Sequence, residues 1–211
     1  MTRILIADDH PSVRRGVKQI LADAFPQADI GEASTAFETL EQANKQPWSL
    51  IVLDLTMPGR SGLETLQELK ATHPDMPVLV LSMHPEDQFA VRAVRAGAAG
   101  YLTKESVAEE MVLAAKKILE GGRYIRPSVA ELLAVQLQEG SANLPPHSSL
   151  SDREFQVMTL MAKGKTVTAI ADDLCLSVKS ISTYRARILE KLKLHTTADL
   201  IRYAIEHHLV E

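Results

Sequence analysis

Five residues could do chemistry together if one edge of a sheet collects them: Asp8, Asp9, Asp54, Ser82 and Lys104. Each stands at the end of a short apolar run: Ile4-Leu5-Ile6-Ala7, Leu50-Ile51-Val52-Leu53, Val78-Leu79-Val80-Leu81 and Tyr101-Leu102. Such runs read as strands buried on both faces. The carboxyl ends of parallel strands are where open α/β sheets place ligand sites. A carboxylate there is costly unless something cationic holds it in its charged form. Three carboxylates with a backbone carbonyl suit an oxygen-ligated hard cation such as Mg²⁺, which favours sites shared with phosphate. A lysine opposite would bind an anionic group as a point charge. Phosphoryl transfer needs mainly positioning and charge neutralisation, so these few residues could suffice. Helix capping by Asp8 and Asp9, or an ion pair with Lys104, would explain either feature alone. Neither explains five polar residues at successive strand ends.

The elements that must position them alternate regularly. Arg3-Ile4-Leu5-Ile6-Ala7 predicts a strand, and Pro11 opens a helix with Val13, Val17, Ile20 and Leu21 as its apolar stripe. A weak strand over 29–33 and a helix over 36–44 follow. The Asp54 strand is ended by Pro58 and Gly59. Leu63, Leu66 and Leu69 mark a helix, residues 77–82 a fourth strand, and Phe89, Val91 and Val94 the helix after it. Gly97 and Gly100 bracket a turn into Tyr101-Leu102, and a last helix runs over about 107–119 with Met111, Ala114, Ala115 and Ile118 inward. Strand and helix alternate five times in about 120 residues, the pattern of a doubly wound α/β sheet with helices on both faces. One more helix is expected over about 128–138. The stretch 139–149 is small, polar and proline-bearing, which reads as a linker.

Beyond it the pattern is helical throughout. Ser151 and Glu154 form a capping box ahead of Phe155, Met158, Met161 and Ala162. A short helix carries Ile170, Ala171 and Leu174. After the turn at Cys175-Leu176-Ser177, a longer helix over about 178–191 faces Ile181, Ile188 and Leu192 inward. Residues 179–193 hold five Lys/Arg (Lys179, Arg185, Arg187, Lys191 and Lys193) against one acid, Glu190. Two short helices at a tight turn, the second basic on its free face, describe a helix-turn-helix. A solvated face on a small bundle would explain the charge count alone, but not the spacing.

Two resemblances rest on these residues. Asp8-Asp9, Asp54, Met57-Pro58, Gly62, Ser82, Ala96-Gly97-Ala98, Gly100-Tyr101 and Lys104 resemble the receiver domain of two-component response regulators. That resemblance implies a flavodoxin-like five-stranded sheet of order 2-1-3-4-5, and Asp54 as acceptor of a phosphoryl group from a histidine kinase. It implies Mg²⁺ held by Asp8 or Asp9, Asp54 and the Thr56 carbonyl, with Ser82 and Lys104 on the phosphoryl oxygens. Tyr101 would be the aromatic that turns inward on activation. Leu150-Ser151-Asp152-Arg153-Glu154, Ile170-Ala171, Leu174, Ser177, Lys179-Ser180-Ile181, Thr183-Tyr184-Arg185, Ile188 and Lys191-Leu192 resemble the LuxR-type helix-turn-helix. Together they are similar to the NarL/FixJ class of transcriptional regulators. The implied division is a receiver over 1–122, a helix and flexible linker over 123–149, and a small all-α DNA-binding domain over 150–211. Ser182, Thr183 and Ala186 would read bases of double-stranded DNA, while Lys179, Arg185, Arg187 and Lys191 would contact the duplex. Val167-Thr168 stands where many relatives carry Asn-Lys, and Ser182 replaces a frequent lysine, so relatives' operator preferences do not transfer.

Composition bounds these readings. The hydrophobic fraction of 45% and charged fraction of 24% are ordinary for a soluble globular chain. No apolar run approaches the roughly 20 residues of a membrane span, and the expectation is a cytoplasmic protein without a leader. Residues 1–147 carry 14 Lys/Arg against 19 Asp/Glu, net −5, and residues 148–211 carry 9 against 8, net +1. The asymmetry points to two domains with different partners. The lone Cys175 reads as a small core residue, His207-His208 as a solvated helix end, and His84 either as part of the phosphorylation pocket's rim or as an exposed loop residue. A homodimer is expected on activation, because one helix-turn-helix reads only a half-site. An alternative is a regulator that acts unphosphorylated through protein contacts. A phosphohydrolase is a third, but Thr56 stands two residues after Asp54 where a general acid would serve, so only slow self-hydrolysis is expected.

Overall fold

The computed structural model describes residues 1–57, 60–83, 86–106, 108–139, 145–207 and 209–210. Pro58, Gly59, His84, Val107, the middle of the expected linker (140–144) and His208 lie outside the described residues. The chain divides into two compact units, Met1–Val135 and Gln136–Glu211.

In the first unit the elements run β1 (Arg3–Ala7), α1 (Pro11–Ala24), β2 (Asp29–Ala33), α2 (Ala36–Lys45), β3 (Leu50–Asp54), α3 (Gly62–Thr72), β4 (Val78–Ser82), α4 (Glu86–Arg95), β5 (Gly100–Thr103), α5 (Ala108–Leu119) and the start of α6 (Pro127–Glu139). The strands form one parallel sheet of order β2-β1-β3-β4-β5. The chain steps outward from β1 to β2, then crosses back to β3, so the topological switch lies between β1 and β3. The register Ala7↔Leu53 sets Asp8 level with Asp54, and Ser82↔Thr103 sets Ser82 beside the end of β5. Strands β3 and β4 are buried along their whole length, as their unbroken apolar runs require. Ile4, Ile6, Val52, Leu79 and Leu81 pack with Val17 and Leu21 of α1 and Met111, Ala114, Ala115 and Ile118 of α5. Each fully buried aliphatic side chain of that size contributes about 1.5–3 kcal/mol. β2 is an edge strand with mixed exposure, which explains its weak sequence signal.

The second unit begins with the end of α6. Pro146–Ser149 then forms a short 3₁₀ turn, followed by α7 (Asp152–Ala162), α8 (Val167–Asp173), α9 (Val178–Leu192) and α10 (Thr197–Glu206). Four starts follow local chemistry. Ser151, Thr166, Ser177 and Thr196 each accept a backbone N–H from the first turn they cap. α7 packs against α8, α9 and α10. Its burial extends beyond the expected stripe to Arg153, Glu154, Gln156, Val157 and Thr159, while Ala162 is only half-buried.

Two expectations need correction. Cys175 is exposed, not core: its φ of 50° lies in the left-handed region and turns the side chain outward while Leu174 is buried. Nor is 139–149 uniformly a linker. Glu139 closes α6, and the 3₁₀ turn is seated on the helices behind it. There His147 Nδ1 lies 3.0 Å from the Tyr203 hydroxyl and Lys191 Nζ donates to the Ser149 carbonyl at 3.4 Å.

Candidate functional site

The polar residues expected at the strand ends meet. Lys104 extends from the end of β5 and places Nζ 2.8 Å from Asp54 Oδ2 and 2.7 Å from Asp8 Oδ2. Asp54 is 1% exposed, Asp8 2% and the Lys104 side chain 5%. Local backbone chemistry fixes each group. The Thr56 N–H donates to Asp54 Oδ1 at 3.1 Å, and the His10 N–H donates to Asp8 Oδ1 at 2.8 Å. The Lys104 N–H donates to the Ser82 carbonyl at 2.8 Å, joining the ends of β4 and β5. Arg14 of α1 donates to the Asp8 carbonyl at 2.7 Å. Gly62 lets α3 start directly beneath this edge: a Cβ there would lie 2.4 Å from both the Asp54 carbonyl oxygen and Leu55 Cα. Ser82 is fully buried, and Tyr101, expected to turn inward on activation, is already buried here.

The electrostatics are those of a desolvated charge cluster. Burial pushes the Asp54 carboxyl above its ordinary range, Lys104 pulls it back, and Asp8 adds to the rise. For Lys104, burial alone would lower the ammonium, but Asp54 and Asp8 outweigh it and hold the group above its usual value. The arrangement is a lysine shared between two buried carboxylates, with a third carboxylate, Asp9, at the rim.

Ligand atoms of Asp8, Asp9, His10 and Asp54 all lie within 4.8 Å of one another. Asp8 Oδ2 and Asp9 Oδ1 are buried acceptors, with Lys104 Nζ 2.7 Å from the first and the His10 ring 2.7 Å from the second. Carboxylate oxygens gathered this closely fit a hard divalent cation. His10 was not foreseen. Its ring lies 2.7 Å from Asp9 Oδ1, and the one available signal was its place directly after the acidic pair.

The second region differs in kind. Lys179, Ser182, Thr183, Arg185, Ala186 and Arg187 are all exposed on α9, while Ile181, Ile188 and Leu192 are buried on its other side. Ser182 and Thr183 turn their hydroxyls onto the Val178 and Lys179 carbonyls at 2.9 and 3.0 Å. Among the described residues, Lys179, Arg185 and Arg187 have no carboxylate partner. Lys191 differs from them, because its Nζ lies 2.6 Å from Glu154 Oε2 and ties α9 to α7.

The comparisons agree with this geometry. The response regulator receiver domain matches residues 4–116, and the luxR family of bacterial regulatory proteins matches residues 148–204. Response regulator GacA of Pseudomonas viridiflava is 38% identical over 211 residues, covering 100% of this chain and 99% of that protein. Response regulator UvrY of Escherichia coli (strain K12) is 34% identical over 209 residues, covering 99% and 96%. RcsB from Salmonella enterica serovar Typhimurium, solved bound to promoter rprA in the presence of phosphomimetic BeF3-, is similar with a TM-score of 0.63. It is 25% identical, over 96% of this chain and 97% of that one. A LuxR-family two-component response regulator from Aurantimonas sp. SI85-9A1 gives a TM-score of 0.58 at 35% identity, over 64% and 97%. A parallel 2-1-3-4-5 sheet with a buried acidic cluster, a basic helix-turn-helix and these full-length matches lead to one conclusion: the chain belongs to the two-component response regulators of the NarL/FixJ family, with a receiver domain and a LuxR-type DNA-binding domain that regulates transcription.

Proposed function

We propose that Asp54 is the phosphoacceptor and that its modification controls DNA binding by the second unit. The observation that carries this is the buried Asp54 carboxylate, held by Lys104 at 2.8 Å beside Asp8 at the topological switch of the sheet. An Asp54 carboxylate oxygen attacks the phosphorus of a phosphohistidine on a partner kinase. The P–N bond breaks as the P–O bond forms, leaving an aspartyl phosphate and the kinase's neutral imidazole. Asp8, Asp9, Asp54 and the Thr56 carbonyl would hold Mg²⁺, whose charge would offset that of the phosphoryl oxygens. Lys104 follows the new dianion as a point charge, the Ser82 hydroxyl bonds one of its oxygens, and Tyr101 packs behind Ser82. The chain is not an enzyme in its own right, beyond taking a phosphoryl group from a donor and slowly hydrolysing it.

The output is DNA contact through α9. Ser182, Thr183 and Ala186 read base edges, and Lys179, Arg185 and Arg187 meet the duplex backbone or bases. Lys191 contributes less directly, since Glu154 already engages it. Phosphorylation promotes a homodimer, and two linked copies on one duplex gain avidity without any new base contact. The receiver over 1–122, the connection over 123–149 and the DNA-binding domain over 150–211 work in this sequence, in the cytoplasm. No helix of the described residues is long and apolar enough to cross a membrane.

Incubation with a small phosphodonor and Mg²⁺ tests the acceptor. One acid-stable, base-labile phosphoryl group should appear on the parent and none on Asp54→Asn. Labelling that persists in that variant would sink the assignment.

A further inference from the structure

The loop that carries Lys104 is tied to the segment that leaves the receiver. The turn after β5 is closed by the Ser106 N–H donating to the Thr103 carbonyl at 2.9 Å, and the Ser106 and Thr103 hydroxyls lie 3.4 Å apart. Arg126, the residue before α6, donates from Nη2 to Ser106 Oγ at 3.1 Å. The same guanidinium grips Glu110 of α5, with Nε donating to Oε1 at 2.7 Å and Nη2 to Oε2. A forked arginine–carboxylate pair fixes both position and plane. Tyr124 completes the clamp: its hydroxyl donates to Glu110 Oε1 at 3.0 Å, and its N–H donates to the Ala99 carbonyl at 2.8 Å, bridging it to Gly100. Residues 124–126 therefore hold β5 at both ends, at Ala99–Gly100 and, through Ser106, at the turn beside Lys104.

We infer that Arg126 is a positioning residue for Lys104, and that through Ser106 and Glu110 it couples the state of the phosphoacceptor site to the root of α6. The inference rests on the reading of Asp54 as phosphoacceptor. Lys104 is the group that must follow charge arriving on Asp54, and its backbone is the first residue of the tethered turn. The clamp is only part-exposed, with the Arg126 and Glu110 side chains 27% and 19% accessible. Arg126, with the Tyr124 and Ser106 hydroxyls behind it, holds the Glu110 carboxyl below its usual range, so the pair is charged at neutral pH. Binding energy delivered at one end of such a connection must appear at the other, because coupling between two sites is reciprocal. α6 is the helix from which the chain continues into the DNA-binding unit, so this is a route by which the site reaches the output besides dimerisation.

Two substitutions in the full chain separate coupling from simple support. Arg126→Ala removes the guanidinium that joins Ser106 to Glu110 and leaves the Tyr124 bonds to Glu110 and Ala99, whereas Ser106→Ala removes the hydroxyl at the turn and leaves the Glu110–Arg126 pair in place. Beryllofluoride, in the presence of Mg²⁺, is titrated by ¹⁹F NMR, and amide exchange of residues 124–130 is followed with and without it. Both variants should bind beryllofluoride about two- to tenfold more weakly, the range one lost hydrogen bond gives. The change in exchange that beryllofluoride causes over 124–130 in the parent should vanish in Ser106→Ala. A role confined to support would instead weaken Arg126→Ala alone. That result, or an exchange response over 124–130 that Ser106→Ala leaves intact, overturns the inference. If the parent itself takes up no beryllofluoride, the phosphoacceptor reading fails and the inference falls with it. That outcome is told apart by the parent's own titration.

Discussion

The two functional regions treat charge in opposite ways. In the receiver unit Asp8, Asp54 and Lys104 are almost wholly buried, and Lys104 Nζ lies within 2.8 Å of both carboxylates. On α9, Lys179, Arg185 and Arg187 stand in solvent with no carboxylate partner among the described residues. Burying a charge costs several kcal/mol unless geometry compensates it, so a buried triad persists only where the surrounding strands over-determine it. An exposed cation costs almost nothing to keep, and its value appears only when a polyanion arrives. The first region is thus built to hold one small dianion at a fixed point. The second is built to be open along a duplex. Stability and function are coupled in one and nearly independent in the other.

The largest effect should come from removing the shared cation. Lys104→Met leaves two buried carboxylates without their shared cation and should cost roughly 3–5 kcal/mol at neutral pH. Urea unfolding followed through the single tryptophan, Trp48, which is buried in the receiver unit, reads this directly. Lys179→Ala should stay within about 0.5 kcal/mol of the parent, while flattening the salt dependence of DNA binding by about one unit of slope. Equal destabilisation by the two substitutions would erase the contrast.

Next comes Gly62→Ala. Its methyl group would meet backbone, the Asp54 carbonyl oxygen and Leu55 Cα, rather than a side chain that can move aside. A loss of about 1–3 kcal/mol in the same unfolding assay is expected, together with slower phosphoryl uptake because the Asp54 segment must shift. An unchanged midpoint would mean that α3 can retreat without disturbing the site.

Thr183→Ala and Arg187→Ala sharpen the open region from within. The first should redistribute preference among operator variants by roughly 1–3 kcal/mol per lost base contact, and the second should weaken all of them alike. Competition binding over a panel of single-base variants separates these outcomes, and uniform loss for Thr183→Ala would remove its base-reading role.

The smallest effect concerns a charge the DNA-binding unit does bury. Glu154 sits at the α7 capping box, accepting the Ser151 N–H at 2.7 Å and Lys191 Nζ at 2.6 Å. Burial pushes its carboxyl up, but Lys191 and Ser151 outweigh that and hold it below its ordinary value of 4.5. Because the folded-state value is lowered, the stability it adds is fully present above about pH 4.5 and is lost as pH falls through the folded value. Glu154→Gln should therefore speed amide exchange in α7 at pH 7 by an amount worth about 1 kcal/mol, and the gap should close on acidification. A gap that persists at acid pH would assign the effect to packing rather than charge.

Much of this was legible in the sequence, for identifiable reasons. Alternating apolar runs predict β1, β3 and β4 because strands buried on both faces leave no room for polar residues. Asp8, Asp54, Ser82 and Lys104 could be placed together because each closes such a run, and parallel strands share their carboxyl edge. What escaped notice depends on pairings far apart in the chain. Glu110 with Arg126, Ser149 with Lys191 and His147 with Tyr203 leave no mark in any local period. Counting charge on α9 could not tell that Glu154 already holds Lys191, so five cations looked equally free. A lone cysteine reads as a small core residue from its type, but at Cys175 a left-handed backbone at the turn leaves it exposed. Beyond its place after the acidic pair, nothing local marks His10 either: only the fold sets its ring against Asp9.

The central claim is that charge placed on buried Asp54 governs what the open face of α9 can bind. The most direct measurement is selection of bound DNA from a random pool by the full chain, with and without beryllofluoride and Mg²⁺, followed by affinity measurement on the enriched sequence. The account predicts a two-half-site sequence bound at least tenfold more tightly with beryllofluoride, a gain lost in Asp54→Asn. Equal affinity with and without beryllofluoride, once ¹⁹F NMR has shown the site to be loaded, would contradict it.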